Sequence, residues 1–206
     1  ELRPHIIRLE EKTLLGYQWN KLYDFDYLRE KQLKYEQVAL IEDILFSISF
    51  VEDIDSLNIL NITPYHYQKK VNYGLTSKFV ADYYDLHMFR ISKMLELYKS
   101  WGLCIEEVKR ILANIYVRYV TSAIQRNCDK RSGMDVKEQK QFIKNLFDTY
   151  LYQELIGYVS PESKIVKKLS VCLQDKNVNS CYMYGKGIYF VKNKLPILFA
   201  KLKRNR

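Results

Sequence analysis

Two long stretches of the chain repeat apolar residues at helical spacing, and this restricts the fold more than any other feature. The first stretch follows Thr76 or Ser77, and the second begins near Ile105. Their apolar positions recur every three or four residues, which places them on one face of a helix. They are Val80, Tyr84, His87, Ile91, Met94, Leu95 and Tyr98, then Val108, Ile111, Leu112, Ile115, Tyr119 and Ile124. With only seven Gly and four Pro in 206 residues, the sequence predicts a mainly helical chain.

Shorter elements are predicted on either side of these helices. The apolar residues that follow Asp43 recur at helical spacing as far as Val51, whereas residues 57–67 resemble one or two short strands broken near Pro64. Asp135 with Glu138 is the pattern of a capping box, and it predicts a third helix that runs through Tyr152. The expected fold class is therefore α+β, mostly α-helical, with a few short strands.

The net charge of +9 is confined to the end of the chain. Residues 162–206 contain eleven Lys or Arg and two acids, so the first 161 residues are neutral overall. A neutral body with a basic tail indicates an anionic surface as the partner of the tail. It does not indicate that the whole protein binds a nucleic acid, and the sequence contains no recognised nucleic-acid-binding motif.

The cysteines and the hydropathy indicate the compartment. The four cysteines have neither metal-like nor redox-like spacing, which fits a reducing cytoplasm. No uninterrupted apolar run is long enough to span a bilayer. The chain starts at Glu1 without an initiator Met, which suggests that it is a fragment of a longer protein.

Glu42 and Asp43 allow two interpretations. Acids at a helix start commonly cap free backbone N–H groups and oppose the helix dipole, which is worth roughly 0.3–2 kcal/mol. A carboxylate held rigidly at a helix end can also act as a general base. Trp19 similarly offers either core packing or a flat apolar face for a sugar ring.

The order of motifs resembles a known enzyme family. Trp19-Asn20-Lys21-Leu22-Tyr23 is followed by Glu42-Asp43-Ile44-Leu45-Phe46 and then by Pro64-Tyr65-His66-Tyr67. This arrangement resembles the carboxy-terminal half of bacterial family 2 glycosyltransferases, which are inverting enzymes of the GT-A fold. The resemblance covers roughly residues 15–76 and implies that residues 1–75 are the acceptor-side portion of a GT-A domain. A helical extension over 76–160 and a basic amphipathic tail over 161–206 would follow.

The resemblance implies roles for individual residues. Asp43 would be the catalytic base, which takes the proton from an acceptor hydroxyl as its oxygen attacks the anomeric carbon of a nucleotide-diphosphate sugar. Glu42, Trp19 and Lys21 would line or support the acceptor site. The acceptor would be a sugar or a lipid-linked oligosaccharide, in the synthesis of a capsular, cell-wall or related surface polysaccharide.

Two departures limit what the resemblance implies. The family has an Asp-x-Asp motif for Mn²⁺ or Mg²⁺ about 100 residues before the base, and Asp43 lies too near the start of the chain for that. Asp24-Phe25-Asp26 and Asp53-Ile54-Asp55 stand at other positions, so we interpret them as turn or helix-end acids. The metal and the nucleotide would then bind to a missing half, and this chain alone would be inactive.

The second departure concerns the diphosphate. The family usually has an Arg after the aromatic strand, but here Gln68, Lys69 and Lys70 follow Tyr67. His66, Lys69 and Lys70 are the remaining candidates for phosphate binding, and the lysines would act as point charges rather than as a bidentate fork.

The tail has three interpretations. It could be a solvated helix packed on the body, a helix at a membrane surface, or a nucleic-acid-binding segment. Lysines flank a face of Tyr, Ile, Leu and Phe, which suits the anionic inner leaflet of the cell membrane for residues 176–206. The expected location is thus cytoplasmic and peripheral at the membrane. The alternative to an enzyme is a non-catalytic helical interaction or membrane-adaptor domain, in which Glu42 and Asp43 act only as caps.

Overall fold

The computed structural model describes residues 2–66, 68, 79–161 and 163–195. Within these residues the secondary structure consists of nine α-helices and two short 3₁₀ turns. The chain divides into two compact units, 1–108 and 109–206, and the boundary lies inside one helix. The resemblance divides the chain by function, into residues 1–75, 76–160 and 161–206. That division stays a prediction.

The first unit holds four helices and the start of a fifth. These are α1 (Arg3–Glu11), α2 (Phe25–Glu30), α3 (Glu42–Val51), α4 (Tyr83–Ser100) and the first residues of α5 (Glu106–Asn127). α3 packs against α4, as expected for two helices with apolar faces. After α4, Gly102 has a φ of +67°, which glycine adopts without strain, and this ends the helix.

A tyrosine hydroxyl joins α1 to α4. The Tyr98 hydroxyl accepts a hydrogen bond from the Ile7 backbone N–H at 2.7 Å and donates one to the Arg3 carbonyl at 2.9 Å. Because Arg3 and Ile7 are four residues apart, the hydroxyl sits within the hydrogen-bond ladder of α1. Arg90 of α4 also forms an ion pair with the buried Glu10 of α1. These contacts fix the amino-terminal helix on the core of the first unit.

The second unit contains the rest of α5 and the remaining elements. After a 3₁₀ turn (Lys130–Ser132) come α6 (Val136–Leu146), α7 (Tyr150–Leu155), a 3₁₀ turn (Ile156–Tyr158), α8 (Lys164–Gln174) and α9 (Val178–Lys194). α9 packs against both α6 and α8. A Cβ added at Gly185 of α9 would lie 2.4 Å from Ile124 Cγ2, so glycine permits the close approach of α9 to α5.

The predicted capping box is confirmed, but the helix after it is shorter than expected. Asp135 Oδ1 accepts a hydrogen bond from the Glu138 N–H, and Glu138 Oε2 accepts one from the Asp135 N–H, both at 2.8 Å. The helix ends at Leu146, and Thr149 caps a separate α7. The apolar spacing continues across this break, because Phe147 is buried as well.

The predicted α+β class is wrong, since the described part of the chain contains no strand and is all-α. Residues 52–66 form no regular element beyond the end of α3. A strand needs a neighbouring strand for its backbone hydrogen bonds, and the described residues offer none. Ile59, Leu60 and Ile62 remain 78%, 61% and 63% exposed. A GT-A portion with short strands is therefore not the fold of this chain.

Candidate functional site

The acidic start of α3 is not capped by its acids. The N-cap residue is Ile41, which offers no side-chain hydrogen bond, and Glu42 and Asp43 occupy the first turn. The Asp43 carbonyl, rather than its carboxylate, accepts hydrogen bonds from Gln18 and Ser47. The interpretation of these acids as hydrogen-bonded caps is therefore wrong, and only their charge opposite the helix dipole remains as a structural role.

Gln18 ties the loop after α1 to the start of α3. Its Nε2 donates to the Asp43 carbonyl at 2.7 Å and to the Ser47 hydroxyl at 3.0 Å. Its Oε1 accepts a hydrogen bond from the Tyr23 hydroxyl. The side chain thus uses both ends of its amide, and it sets the position of the loop that carries Trp19 relative to Asp43.

Lys21 holds the same loop together from inside. Its ammonium donates to the carbonyls of Leu14, at 2.8 Å, and Tyr17, and to Asn20 Oδ1 at 2.8 Å. An ammonium has three donors, so these acceptors use all of them. Burial lowers the pKa of Lys21 to about 8, although Asp43 and Glu10 act in the opposite direction. Lys21 therefore supports the predicted site, and its ammonium has no donor left for a sugar hydroxyl.

The Asp43 carboxyl lies in a setting that disfavours its charge. Burial raises its pKa, the neighbouring Glu42 raises it further, and the Lys21 ammonium lowers it. A carboxylate with a raised pKa is a stronger base than an exposed one. This direction suits the predicted role of Asp43, and a helix start provides a rigid mount for it.

Glu42 has a buried oxygen that the packing does not satisfy. Its Oε2 is fully buried and has no hydrogen-bond partner among the described residues. Leaving a buried acceptor unpaired costs roughly 1–3 kcal/mol. Glu42 and Asp43 are thus two adjacent carboxyl groups at one helix start, and neither is used to cap it.

Three aromatic rings form a stack beside this helix start. Tyr17 lies 4.9 Å from Trp19 between ring centroids, and Trp19 lies 5.2 Å from Tyr65, both in stacked orientation. The three side chains are 43%, 41% and 52% exposed. They bring residues 17–19 together with the segment that contains Pro64 and Tyr65. We name Tyr17, Trp19 and Tyr65 the aromatic stack.

The predicted phosphate-binding residues are only partly described. His66 is exposed and follows Tyr65 of the aromatic stack. Tyr67, Lys69 and Lys70 lie outside the described residues. The aromatic stack therefore brings the backbone at His66 to the neighbourhood of Trp19, and the phosphate contact itself stays a prediction.

The two Asp-x-Asp sequences have structural roles, as predicted. Asp24 caps α2 by accepting a hydrogen bond from the Tyr27 N–H at 3.0 Å, and Asp26 pairs with Arg29 at 2.8 Å. Asp53 pairs with Lys31 at 2.8 Å. No group of three or more metal-ligating side chains occurs where the structure describes them. These residues therefore do not fit a resident Mn²⁺ or Mg²⁺.

The described residues of the basic tail form the helices α8 and α9. α9 buries Cys181, Tyr182 and Gly185 against its neighbours, which corresponds to a helix packed on the body. Residues 196–206 lie outside the described residues. None of the described helices has the length and hydropathy needed to cross a membrane.

The structure thus brings together four of the seven predicted site residues. Gln18 binds the backbone at Asp43, and the loop that contains Gln18 also carries Trp19 and Lys21. The Lys21 ammonium and the Glu42 carboxyl are both close enough to Asp43 to shift its pKa. Sequence reasoning missed Gln18, because a hydrogen bond across 25 residues leaves no local pattern. It also assigned no site role to Tyr17 and Tyr65, although Tyr17-Gln18-Trp19 carries two aromatic rings around a polar residue.

Comparison of the chain with protein-family models, with curated proteins and with solved structures gives no match. The resemblance to family 2 glycosyltransferases therefore stays a prediction. The geometry around Asp43 is the remaining guide to function.

Proposed function

We propose that this chain supplies the acceptor side of an inverting sugar transfer from a nucleotide-diphosphate sugar, with Asp43 as the base. The observation that carries the proposal is the aromatic stack, in which Trp19 and Tyr65 lie 5.2 Å apart between ring centroids. One residue before Trp19, Gln18 binds the backbone of Asp43. Gln18 thus connects the loop that carries two of the partly exposed aromatic rings to the backbone at Asp43.

Asp43 acts on the acceptor hydroxyl. Its carboxylate accepts the hydroxyl proton as the acceptor oxygen forms a bond to the anomeric carbon of the donor. The bond from that carbon to the diphosphate breaks on the opposite face, so the configuration inverts and the nucleoside diphosphate leaves with the electron pair. The raised pKa of Asp43 assists proton removal late in the reaction.

The aromatic stack positions the acceptor. The apolar face of a sugar ring packs on the face of an aromatic ring, which shields that side of the sugar from water. Lys21 keeps the loop in shape through its three hydrogen bonds. Glu42 offers its buried carboxyl to an acceptor hydroxyl that enters the site, which would satisfy the unpaired Oε2.

The donor belongs to a further part of the protein in this proposal. His66, Lys69 and Lys70 follow the aromatic stack in sequence and would reach its diphosphate, and Mn²⁺ or Mg²⁺ would arrive with the donor-binding part. The acceptor is a sugar or a lipid-linked oligosaccharide of a bacterial surface polysaccharide. The 206 residues alone are expected to show no transfer.

The proposed location is the inner face of the cell membrane, with the protein cytoplasmic and peripheral. The support is the net excess of nine positive charges in residues 162–206, which suits an anionic leaflet. In α9 there is no acidic residue, while Lys186, Lys192 and Lys194 are exposed.

The two tryptophans of the chain make a direct test of the acceptor site. Trp101 donates its Nε1 hydrogen to the Glu52 carbonyl at 3.1 Å and packs on Tyr98, so it serves as the matched control for Trp19. We expect methyl glycosides and N-acetylhexosamines at millimolar concentration to change the fluorescence of Trp101→Phe but not of Trp19→Phe. Equal responses from both variants, or none from the wild type, would remove the acceptor site.

A second candidate is a non-catalytic helical interaction or membrane-adaptor domain. It is favoured by the absence of strands from the described residues and by the structural hydrogen bonds of Gln18 and Lys21. In that case the aromatic stack would bind a protein surface. The saccharide titration separates the two functions, because an adaptor has no reason to respond to simple sugars.

A further inference from the structure

α6 presents a row of lysines that the basic tail does not include. Lys137, Lys140 and Lys144 are spaced three and four residues apart, which places them on one side of the helix. Together with Val136, Gln141 and Val178 they line a wide groove of about 490 Å³. Among the residues that the structure describes, no acid lines this groove. The acid of α6, Glu138, is engaged in the capping box with Asp135.

The lysines of α6 are continuous with those of α9. α6 packs on α9, and the two helices meet at the buried ring of Tyr182. The Lys140 ammonium lies 5.5 Å from the centroid of this ring, and the Lys186 ammonium lies 5.7 Å from it. Lysines of both helices therefore converge on the same aromatic ring.

Exposed apolar side chains stand beside these charges. Met183 and Phe190 of α9 are 63% and 56% exposed. Lys186 lies three residues after Met183 and four before Phe190, so the three side chains share one side of α9. Positive charge interleaved with exposed apolar groups is typical of helices that lie in a bilayer interface.

We propose that Lys137, Lys140, Lys144, Lys186, Met183 and Phe190 form one surface that binds an anionic lipid bilayer. We name this set the α6–α9 surface. The inference rests on the proposed membrane location and deepens it, since it places the contact on two packed helices rather than on the tail alone. A nucleic acid would satisfy the lysines, but it would leave Met183 and Phe190 in water. A bilayer accommodates both at once.

The test is co-sedimentation of the 206-residue chain with vesicles of phosphatidylcholine, with and without phosphatidylglycerol. The variant Lys137→Gln/Lys140→Gln/Lys144→Gln is compared with Lys12→Gln/Lys34→Gln/Lys130→Gln, which removes the same charge from exposed positions outside both the groove and the basic tail. Each lysine near an anionic surface is worth about fivefold in binding. We expect the α6 variant to bind phosphatidylglycerol vesicles about a hundredfold more weakly than the wild type, and the control to lose much less.

A second variant, Met183→Ser/Phe190→Ser, separates a bilayer from a soluble polyanion. We expect it to lose vesicle binding and to keep whatever weak binding the wild type shows to inorganic polyphosphate. Equal vesicle binding by the two lysine variants would overturn the α6–α9 surface and leave the tail proposal standing. If phosphatidylglycerol does not increase the vesicle binding of the wild type, both the α6–α9 surface and the tail proposal are overturned. Unchanged vesicle binding by the serine variant would overturn the bilayer in favour of a polyanion.

Discussion

The helices α3 and α6 each have two acidic residues at their start, and the two pairs of acids have different roles. At α6, Asp135 and Glu138 bind each other's backbone N–H groups, both at 2.8 Å. At α3, Glu42 and Asp43 leave the N-cap position to Ile41, one oxygen of Glu42 is buried without a partner among the described residues, and burial raises the pKa of Asp43. Similar composition thus gives a stabilising cap in one place and two uncommitted carboxyl groups in the other.

The difference shows how a structural acid can be told from a candidate functional one. A capping acid lowers the free energy of the folded state because it replaces lost backbone hydrogen bonds. An ionised acid that is partly buried beside another acid raises the free energy of the folded state. Positions that are unfavourable for folding and persist near an exposed aromatic stack are candidates for function. The comparison can therefore be tested by stability measurements as well as by activity.

The largest expected effect on stability comes from removing Asp135. Asp135→Ala deletes the carboxylate that accepts the hydrogen bond from the Glu138 N–H and should lower the free energy of unfolding by about 1–2 kcal/mol. Asp43→Ala removes no side-chain cap and should change it by less than about 0.5 kcal/mol. Urea denaturation followed by circular dichroism measures both. Equal losses in the two variants would mean that Asp43 stabilises α3 in a way that its contacts do not reveal.

Substitution of Glu42 and of Glu138 should change the free energy of unfolding in opposite directions. Glu42→Met removes a buried unpaired acceptor and should raise the free energy of unfolding by about 1 kcal/mol. Glu138→Met removes the reciprocal bond to the Asp135 N–H and should lower it by about 1 kcal/mol. A fall in both variants would show that Glu42 has a stabilising partner, and the contrast between the two helix starts would disappear.

A smaller effect is expected in the pH dependence of stability. The pKa of Asp43 is raised in the fold, so this carboxyl contributes stability below its ordinary pKa and loses it as the pH rises through the folded value. The stability of Asp43→Asn relative to the wild type should therefore rise from acid to neutral pH. The Arg131 guanidinium lowers the pKa of Asp129 to about 2, so Asp129→Asn should lose stability over the same range. Thermal melts from pH 3 to pH 7 on the two variants should diverge in opposite directions, and parallel curves would contradict both assignments.

Sequence reasoning was most successful where the determinants are local. The periodicity after Asp43 predicted α3, and Asp135 with Glu138 predicted the capping box, since both depend on residues within one or two turns. The strands predicted around Pro64 failed because a strand depends on a partner far away in sequence. The α6–α7 break was missed because Phe147 is buried at the break and preserves the apolar spacing.

The candidate site was predicted in part and for a similar reason. The motif order pointed to Trp19, Lys21, Glu42 and Asp43, which the fold brings together through Gln18. The amide of Gln18 gave no signal in the sequence, because its partners Asp43 and Ser47 lie 25 and 29 residues away. The sequence did not show whether Lys21 supports the site or contacts the acceptor. The three hydrogen-bond acceptors of its ammonium decide for support, and they come together only in the folded loop.

The most direct measurement is sugar transfer by the longer protein of the proposal, with Asp43→Asn introduced and with Asp135→Asn as the matched control. Removing a general base lowers the rate by roughly 10²–10⁴-fold, and we expect that loss for Asp43→Asn while donor binding is unchanged. Asp135→Asn, which changes an acid at the start of another helix, should transfer sugar at close to the wild-type rate. A wild-type rate in the Asp43→Asn protein would contradict the assignment of the base.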